Sequence, residues 1–193
     1  MHPHLISLAI VLSLSILGTA RADDLPTSVP VGSRLGHKLC ETFVNGPDAG
    51  KKQSLICTLA GRPAVLIYAR EIDTTLLKLL KKLDAIAQTG NEQKMISSCV
   101  LLTNEDENVE RLQKLAQREK FEATLLATTP YEEGKRYFSA NAGNLHKEAF
   151  VTVIVLQRLK VEASYAFRKG ELKDANLEEI AKAASALLPT TKE

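Results

Sequence analysis

The clearest pattern in the chain is an uninterrupted apolar run followed by a run of helical periodicity, within the stretch Gly61–Ala87. Pro63–Ala69 has the length and the side chains of a buried strand. Asp73 then stands where its carboxylate can cap a helix. The predicted helix has one apolar face, made of Leu76, Leu77, Leu80, Leu83 and Ala87. In an open α/β sheet, ligands sit beyond the carboxyl end of such a strand, so the loop Arg70–Leu76 is the first candidate site.

The middle of the chain continues the alternation of strands and helices. Met95–Leu102 and Ala123–Ala127 are predicted strands. Between them lies a predicted amphipathic helix, at whose start Thr103 and Asp106 have the spacing of a capping box. A third, weaker helix is predicted over 130–138, opened by a proline.

Two further apolar runs, Phe150–Leu156 and Val161–Phe167, predict a hairpin across Gln157–Lys160. Asn176 is expected to cap a last helix. Strands that alternate with helices favour a parallel core, and the closing hairpin makes the sheet mixed. The predicted fold class is therefore α/β, a mixed sheet flanked by helices.

A separate hairpin is predicted before this core. Lys38–Val44 and Gln53–Leu59 have β character, and the turn formers of Asn45–Gly50 lie between them. In one register of this hairpin, Cys40 and Cys57 face each other at a distance that a disulfide can bridge. The alternative is two small residues that pack without bonding, and the long loop also allows other registers. The pair is thus a candidate disulfide.

The first 22 residues have the features of a signal peptide. The apolar run Leu5–Leu17 is short of the roughly 20 residues needed to span a bilayer, which argues against the alternative of a membrane anchor. Ala20-Arg21-Ala22 is a small-x-small cleavage site, so Asp23 is the expected mature N-terminus. The protein is predicted to be exported, to the periplasm or the extracellular space, where a disulfide can persist.

Behind the predicted cleavage site, residues 23–36 form an extended lead-in and residues 37–189 a single domain. The whole chain has 25 basic and 23 acidic residues, a formal net charge of +2. Its basic residues occur in pairs rather than runs, so no nucleic acid is expected as a partner, nor a membrane once the signal peptide is removed.

The element order resembles the thioredoxin fold, preceded by a β-hairpin. The resemblance covers about 31–188 and rests on Pro63–Ala69, Thr152–Val155 and Ala166–Leu172. More narrowly, the chain is similar to exported planctomycete-type thioredoxin-like proteins, whose pattern is GP-x-x-GK, C-x-x-C and then G-x-RP. Here the matching segments are Gly46–Lys51, Ser54-Leu55-Ile56-Cys57 and Gly61-Arg62-Pro63, with serine in place of the first cysteine.

Two departures from the thioredoxin pattern bear on function. The position of the redox C-x-x-C falls on Asp73-Thr74-Thr75-Leu76, and that of the cis-proline falls on Val151. Thioredoxin chemistry needs a thiolate of lowered pKa at the helix start and a second thiol that resolves the mixed disulfide. The resemblance therefore implies the fold without dithiol activity at this site, and a trans bond before Val151.

No cofactor or metal is predicted. His37 and His146 are far apart and lack the spacing of metal ligands. Cys99 lies within a predicted strand and is expected to be a core residue.

Other side chains admit two interpretations. Arg70, Glu71 and Asp73 can form a polar site at the strand edge, or an exposed ion pair and a helix cap. Tyr131, Tyr137 and Phe138 can line a docking groove or simply cover the sheet.

Three functional hypotheses follow. The first is a binding or structural module, with another exported protein as a possible partner. Under this hypothesis the protein is not an enzyme. The second is a thiol–disulfide or peroxide-reducing enzyme that uses Cys57. The third is a small-molecule carrier that uses the edge Arg70–Asp73. The partner itself is unknown from the sequence.

Overall fold

A mixed β-sheet with helices packed on it forms the centre of the protein in a computed structural model. The structure describes residues 25, 29–36, 40–89, 94–139 and 142–188. The predicted signal peptide, 1–22, lies outside the described residues, and the lead-in falls partly within them. In chain order the elements are β1 (Glu41–Phe43), β2 (Lys52–Gln53), α1 (Leu55–Leu59), β3 (Ala64–Ala69), α2 (Thr74–Thr89), β4 (Ile96–Leu102), α3 (Asp106–Glu119), β5 (Thr124–Thr129), β6 (Val151–Gln157), β7 (Lys160–Phe167) and α4 (Asp174–Ser185).

The strands of the described chain form one sheet in the order β2-β1-β5-β4-β3-β6-β7. β3, β4 and β5 are parallel, whereas β6 is antiparallel to β3 and β7 to β6. β3 lies inside the sheet, and all six of its residues are buried. A strand buried on both faces is an unbroken apolar run, which is why this element was visible in the sequence. The predicted mixed α/β sheet is confirmed.

The two faces of the sheet have separate cores, because successive side chains of a strand point to opposite faces. Val65 and Ile67 of β3 point to the face covered by α2, α3 and α4. Leu66 and Tyr68 point to the other face, which is covered by α1 and by the described residues of the lead-in and of 130–145. The loops that follow β3, β4 and β5 therefore meet at one edge, between two covered faces.

The described residues of the lead-in, 25 and 29–36, include several that contact the sheet. Val29 and Leu35 are buried against the second face. The Leu35 N–H donates to the carbonyl of Leu159 at 2.9 Å, and the Gly32 N–H donates to that of Val161 at 2.8 Å. This segment therefore runs beside the start of β7, which would otherwise be a bare sheet edge.

The N-terminal hairpin is present, but it is shorter than predicted and has a different register. Glu41 lies opposite Gln53. The Phe43 N–H donates to the carbonyl of Lys51 at 3.0 Å. In this register each residue of β1 faces a residue three positions earlier in the chain than the predicted register would have given. The register that would have placed the two hairpin cysteines opposite each other is therefore wrong.

The second half of the predicted hairpin strand is a helix. Leu55–Leu59 forms α1, with Ser54 at its N-cap, whose hydroxyl accepts a hydrogen bond from the Cys57 N–H at 3.4 Å. The residues at the two ends of α1 are one turn apart and both fully buried. Cys57 thus lies on a helix, and the strand geometry that supported its pairing with Cys40 does not exist.

The helix predicted over 130–138 is also wrong. The described residues there form turns and irregular backbone, with Gly134 at a φ of 74°. Tyr137 and Phe138 are nevertheless buried, because they pack edge-on against Tyr68 with ring centroids 6.3 and 5.3 Å away. Packing on the sheet, rather than helix formation, decides the path of this segment.

Two predicted helix starts are shifted. α3 begins at Asp106, and Thr103 bonds instead to the Glu105 N–H at 3.1 Å, so there is no capping box. α4 begins before Asn176, whose side-chain oxygen accepts a hydrogen bond from the Lys173 N–H at 2.9 Å.

The second predicted hairpin is confirmed, since β6 and β7 pair antiparallel.

Candidate functional site

The loop that follows β3 is held in place by a helix cap, as predicted. The Oδ1 of Asp73 accepts a hydrogen bond of 2.8 Å from the Leu76 N–H at the start of α2. Asp73 and Thr74 are exposed, Thr75 is partly exposed, and Leu76 is fully buried in the core beneath α2. The four positions that align with the redox motif therefore serve as a cap and an anchor.

Arg70 is held by several contacts at this edge. Its backbone N–H donates to the carbonyl of Phe150 at 3.0 Å. Its guanidinium donates to the hydroxyl of Tyr131 at 2.8 Å and to the carbonyl of Lys147, and it stacks 4.5 Å from the centre of the Tyr131 ring. All of these partners are uncharged, so no ion pair with a described residue neutralises the positive charge of Arg70, although its position is fixed.

The predicted polar cluster of Arg70, Glu71 and Asp73 does not form as a unit. Glu71 pairs with Lys169 at 3.1 Å, and Asp73 bonds to the helix start. The three residues follow the same strand, but their side chains go to three different partners. The interpretation as an ion pair and a helix cap fits Glu71 and Asp73. Arg70 instead contacts Tyr131 and Lys147.

A cavity of about 390 Å³ lies beside Arg70, between the β3 loop and α3. Its lining combines apolar and cationic side chains, in a volume typical of small-molecule sites. The main lining residues are Arg70, Ile72, Leu101, Arg111, Lys114, Leu115 and Arg118. Sequence reasoning missed this cavity, although Arg111, Lys114 and Arg118 have the spacing of one helix face.

Val151, at the position of the thioredoxin cis-proline, begins β6. It is buried and lies opposite Ala69 on one side and Phe167 on the other. Every peptide bond in the described part of the chain is trans. The backbone here is thus part of the regular sheet.

The aromatic residues near the site cover the sheet. Tyr137 and Phe138 pack on Tyr68, as described above, and burial is the main cause that raises the pKa of Tyr68 well above its ordinary value, followed by the nearby Glu41 carboxylate. Tyr131 alone of the predicted aromatic group reaches the β3 loop, through Arg70.

The cysteines have different environments. Cys40 and Cys57 are exposed and unbonded in the structure. Cys99 lies within β4, fully buried, and burial raises its pKa to about 12. The prediction of a core role for Cys99 is confirmed. The Cys40–Cys57 disulfide has lost its predicted hairpin geometry and stays a prediction.

The described residues offer little to a metal. Among them, no three His, Cys, Asp or Glu side chains come together as a metal site requires. His146 accepts a hydrogen bond from the Glu148 N–H at 3.2 Å through Nδ1, and His37 lies outside the described residues. In the same part of the chain, no helix is long and apolar enough to cross a membrane.

No known family model matches the sequence, and no curated protein matches it either. Solved structures do match the fold. A peroxiredoxin-like protein from Aquifex aeolicus has a TM-score of 0.56 at 14% identity, over 84% of this chain and 90% of that one. A thiol-disulfide isomerase from Corynebacterium glutamicum has a TM-score of 0.52 at 13% identity, over 82% and 98%.

A secreted thiol-disulfide isomerase from the same organism has a TM-score of 0.52 at 11% identity, over 78% of this chain and 83% of that one. At such low identities the likeness concerns the fold. The chain has a thioredoxin-like fold, preceded by a short β-hairpin.

Proposed function

We propose that this protein is an exported thioredoxin-like binding module without dithiol oxidoreductase activity. The observation that carries the proposal is the contact between Asp73 and Leu76. A carboxylate caps α2 where the fold would hold a reactive thiolate, and a buried leucine occupies the place of the resolving thiol. Neither side chain can take part in thiol–disulfide exchange.

Export is supported by the sequence of residues 1–22 and by the secreted protein among the structural neighbours. The narrower likeness to exported planctomycete-type thioredoxin-like proteins rests on the Gly46–Lys51 turn and on Ser54–Cys57. The former closes the hairpin, and the latter begins α1. Expression in a bacterial host, followed by fractionation and N-terminal sequencing, is expected to recover a protein that starts at Asp23 outside the cytoplasm. A full-length protein in the cytoplasm would contradict export.

The missing dithiol activity is tested by insulin reduction with dithiothreitol as the electron source. The purified protein is expected to reduce insulin no faster than a variant with all three cysteines replaced by serine. A rate clearly above that control would contradict the proposal. A thioredoxin assayed in parallel shows that the assay detects turnover.

The competing hypothesis is a thiol-based enzyme that uses Cys57, as in the thiol-disulfide isomerases and the peroxiredoxin-like protein that share the fold. What favours it is the exposure of Cys57 in the first turn of α1, with its backbone N–H bonded to Ser54. Peroxide consumption and insulin reduction by Cys57→Ser and Cys40→Ser separate the two ideas. The enzyme hypothesis requires activity in the wild type and its loss in Cys57→Ser.

A further inference from the structure

The cavity beside Arg70 has an apolar floor. Ile72 follows β3, Leu101 is near the end of β4, and Leu112 and Leu115 face it from α3. Leu101 and Leu112 are buried members of the core, whereas Ile72 and Leu115 are partly exposed and pack against it. Covering an open apolar surface of this kind with an apolar body lowers the free energy.

The rim of the same cavity is cationic. Arg111, Lys114 and Arg118 line it from one face of α3, and Arg70 lines it from the β3 loop. Glu71 is the sole acidic residue in the described lining, and it pairs with Lys169 at 3.1 Å. The lining therefore has four cations and one carboxylate that is already engaged.

Two of the four cations have no acidic partner among the described residues. Lys114 has no ion pair within 4.0 Å among the described residues, although Glu110 lies one helical turn before it. Arg70 bonds to uncharged groups, and its Nε is buried with no hydrogen-bond partner in the described part of the chain.

The other two cations are only partly neutralised. Arg111 pairs with Glu107 at 2.6 Å, and both side chains are largely exposed, so that pair is weak and exchangeable. Arg118 pairs with Glu119 at 2.7 Å, but Glu119 also pairs with Lys81 at 2.6 Å. One carboxylate thus serves two cations, and a positive excess remains beside the cavity.

A larger cavity of about 500 Å³ at the opposite end of the sheet lacks this asymmetry. Its lining sets Arg62 and Lys94 against Asp48 and Glu122, so the charges balance. Of these two cavities in the described part of the chain, the cationic one lies at the carboxyl ends of the parallel strands, where α/β folds bind their ligands.

We propose that the cavity between the β3 loop and α3 binds a small organic anion, with its acidic group on Lys114 and Arg70 and its apolar body on Ile72, Leu101 and Leu115. This inference rests on the proposed binding role and specifies a ligand class for it. Arg70 is held in place by Tyr131, so that half of the anion site is preorganised. Lys114 is exposed and supplies the second charge.

The test uses octanoate as the probe, with 1-octanol and inorganic phosphate as comparisons. Binding is followed by isothermal titration and by amide chemical shifts in ¹⁵N spectra. We expect saturable binding of octanoate, with shifts centred on Ile72, Leu101 and Leu115, and weaker binding of both comparison compounds. Higher ionic strength is expected to weaken octanoate binding, because an exposed charge is screened by salt.

Charge-removing variants locate the acidic group. Lys114→Gln is expected to weaken octanoate binding about three- to fivefold, the effect of one exposed charge. Lys182→Gln, which removes an exposed lysine from α4 away from the cavity, is the matched control and is expected to leave binding unchanged. Both positions are exposed, so the variants should fold, and dispersed amide spectra verify that they do.

Several results would overturn the inference. One is the absence of saturable octanoate shifts at the cavity in the wild type. Equal affinity of Lys114→Gln and Lys182→Gln would also overturn it, as would octanol or phosphate binding as tightly as octanoate. These results are independent of the insulin assay. If the protein reduces insulin and still binds octanoate, the proposed lack of dithiol activity is contradicted, but the proposed ligand site is not.

Discussion

The Oδ1 of Asp73 accepts a hydrogen bond of 2.8 Å from the backbone N–H of Leu76. This contact joins the loop after the central strand to the first turn of α2. The positive end of a helix macrodipole favours a negative group at this place, whether it is a carboxylate or a thiolate. The same electrostatic feature that would lower the pKa of a thiol in a thioredoxin therefore stabilises a helix cap in this protein.

Removal of this cap is expected to destabilise the fold. Asp73→Ala should lower the free energy of unfolding by about 1 kcal/mol, since the first turn of α2 loses a hydrogen bond. Asp73→Asn keeps an acceptor oxygen and should lose much less. Urea denaturation followed by circular dichroism measures both. Equal losses in the two variants would show that the cap does not contribute as described.

Asp84 of α2 is expected to contribute more to stability than Asp73. Although it is a carboxylate, it is 7% exposed. It accepts hydrogen bonds from the Ala123 N–H at 2.9 Å, the Glu122 N–H at 3.3 Å and the side chain of Gln88 at 2.7 Å. It thereby ties the middle of the helix to the chain just before β5.

Asp84→Ala leaves these donors without their acceptor, which costs about 2–4 kcal/mol of unfolding free energy. Asp84→Asn retains one acceptor and should fall between that variant and the wild type. Asp174→Ala, whose carboxylate is exposed and 3.4 Å from Lys78, serves as a control and should cost less than about 1 kcal/mol. Urea denaturation distinguishes the three variants. A loss of unfolding free energy in Asp84→Ala no larger than in Asp174→Ala would show that the hydrogen bonds of Asp84 do not stabilise the fold as described.

The strands and long helices could be predicted because each has a continuous pattern of its own. Ala64–Ala69 is an unbroken apolar run, and Thr74–Thr89 repeats apolar residues at helical spacing. α1 could not be predicted, since its five residues form only one turn and are a short, largely apolar run that fits a strand equally well. The structural role of Asp84 could not be predicted either, because nothing near it in sequence indicates partners 38 and 39 residues away.

The candidate site, too, could be predicted only in part. The position of the β3 loop at the carboxyl edge of the sheet follows from the order of strands and helices alone. The cavity does not, because its cations come from two segments, Arg70 in the loop and Lys114 in α3. Their separation depends on how α3 packs on the sheet, which no local pattern specifies. Likewise, Arg70 finds Tyr131 only through the irregular path after β5.

The turn of the second hairpin is strained at its tip. Arg158 and Leu159 have φ values of 51° and 66°, the left-handed region that residues with a Cβ rarely adopt. Arg158→Asn should raise the free energy of unfolding by about 0.5–1 kcal/mol, because asparagine tolerates this conformation. Arg158→Ala lacks the short polar side chain that lets asparagine hydrogen-bond locally in this conformation, and it is expected to bring no such gain. Thermal denaturation monitors both, and a gain of equal size in the alanine variant would rule out backbone strain as the cause.

The accessibility of the three thiols is expected to differ sharply. Cys99 is fully buried and its pKa is raised to about 12, so at pH 8 it is a protonated thiol without access to reagent. Native protein treated with iodoacetamide after reduction should be alkylated at Cys40 and Cys57, and at Cys99 only after addition of denaturant. Intact mass and peptide mapping count the labels.

The same measurement without prior reduction tests the predicted disulfide. If Cys40 and Cys57 are bonded in the exported protein, neither takes up label until a reductant is added, and the map contains their linked peptide. If both are labelled at once, the pairing is wrong, as the helix at Cys57 already suggests for the original register. Alkylation of Cys57 well below pH 8, beneath the free-thiol pKa, would instead favour the thiol-enzyme hypothesis, because only a thiolate reacts. Labelling of Cys99 in the native protein would contradict its burial in β4.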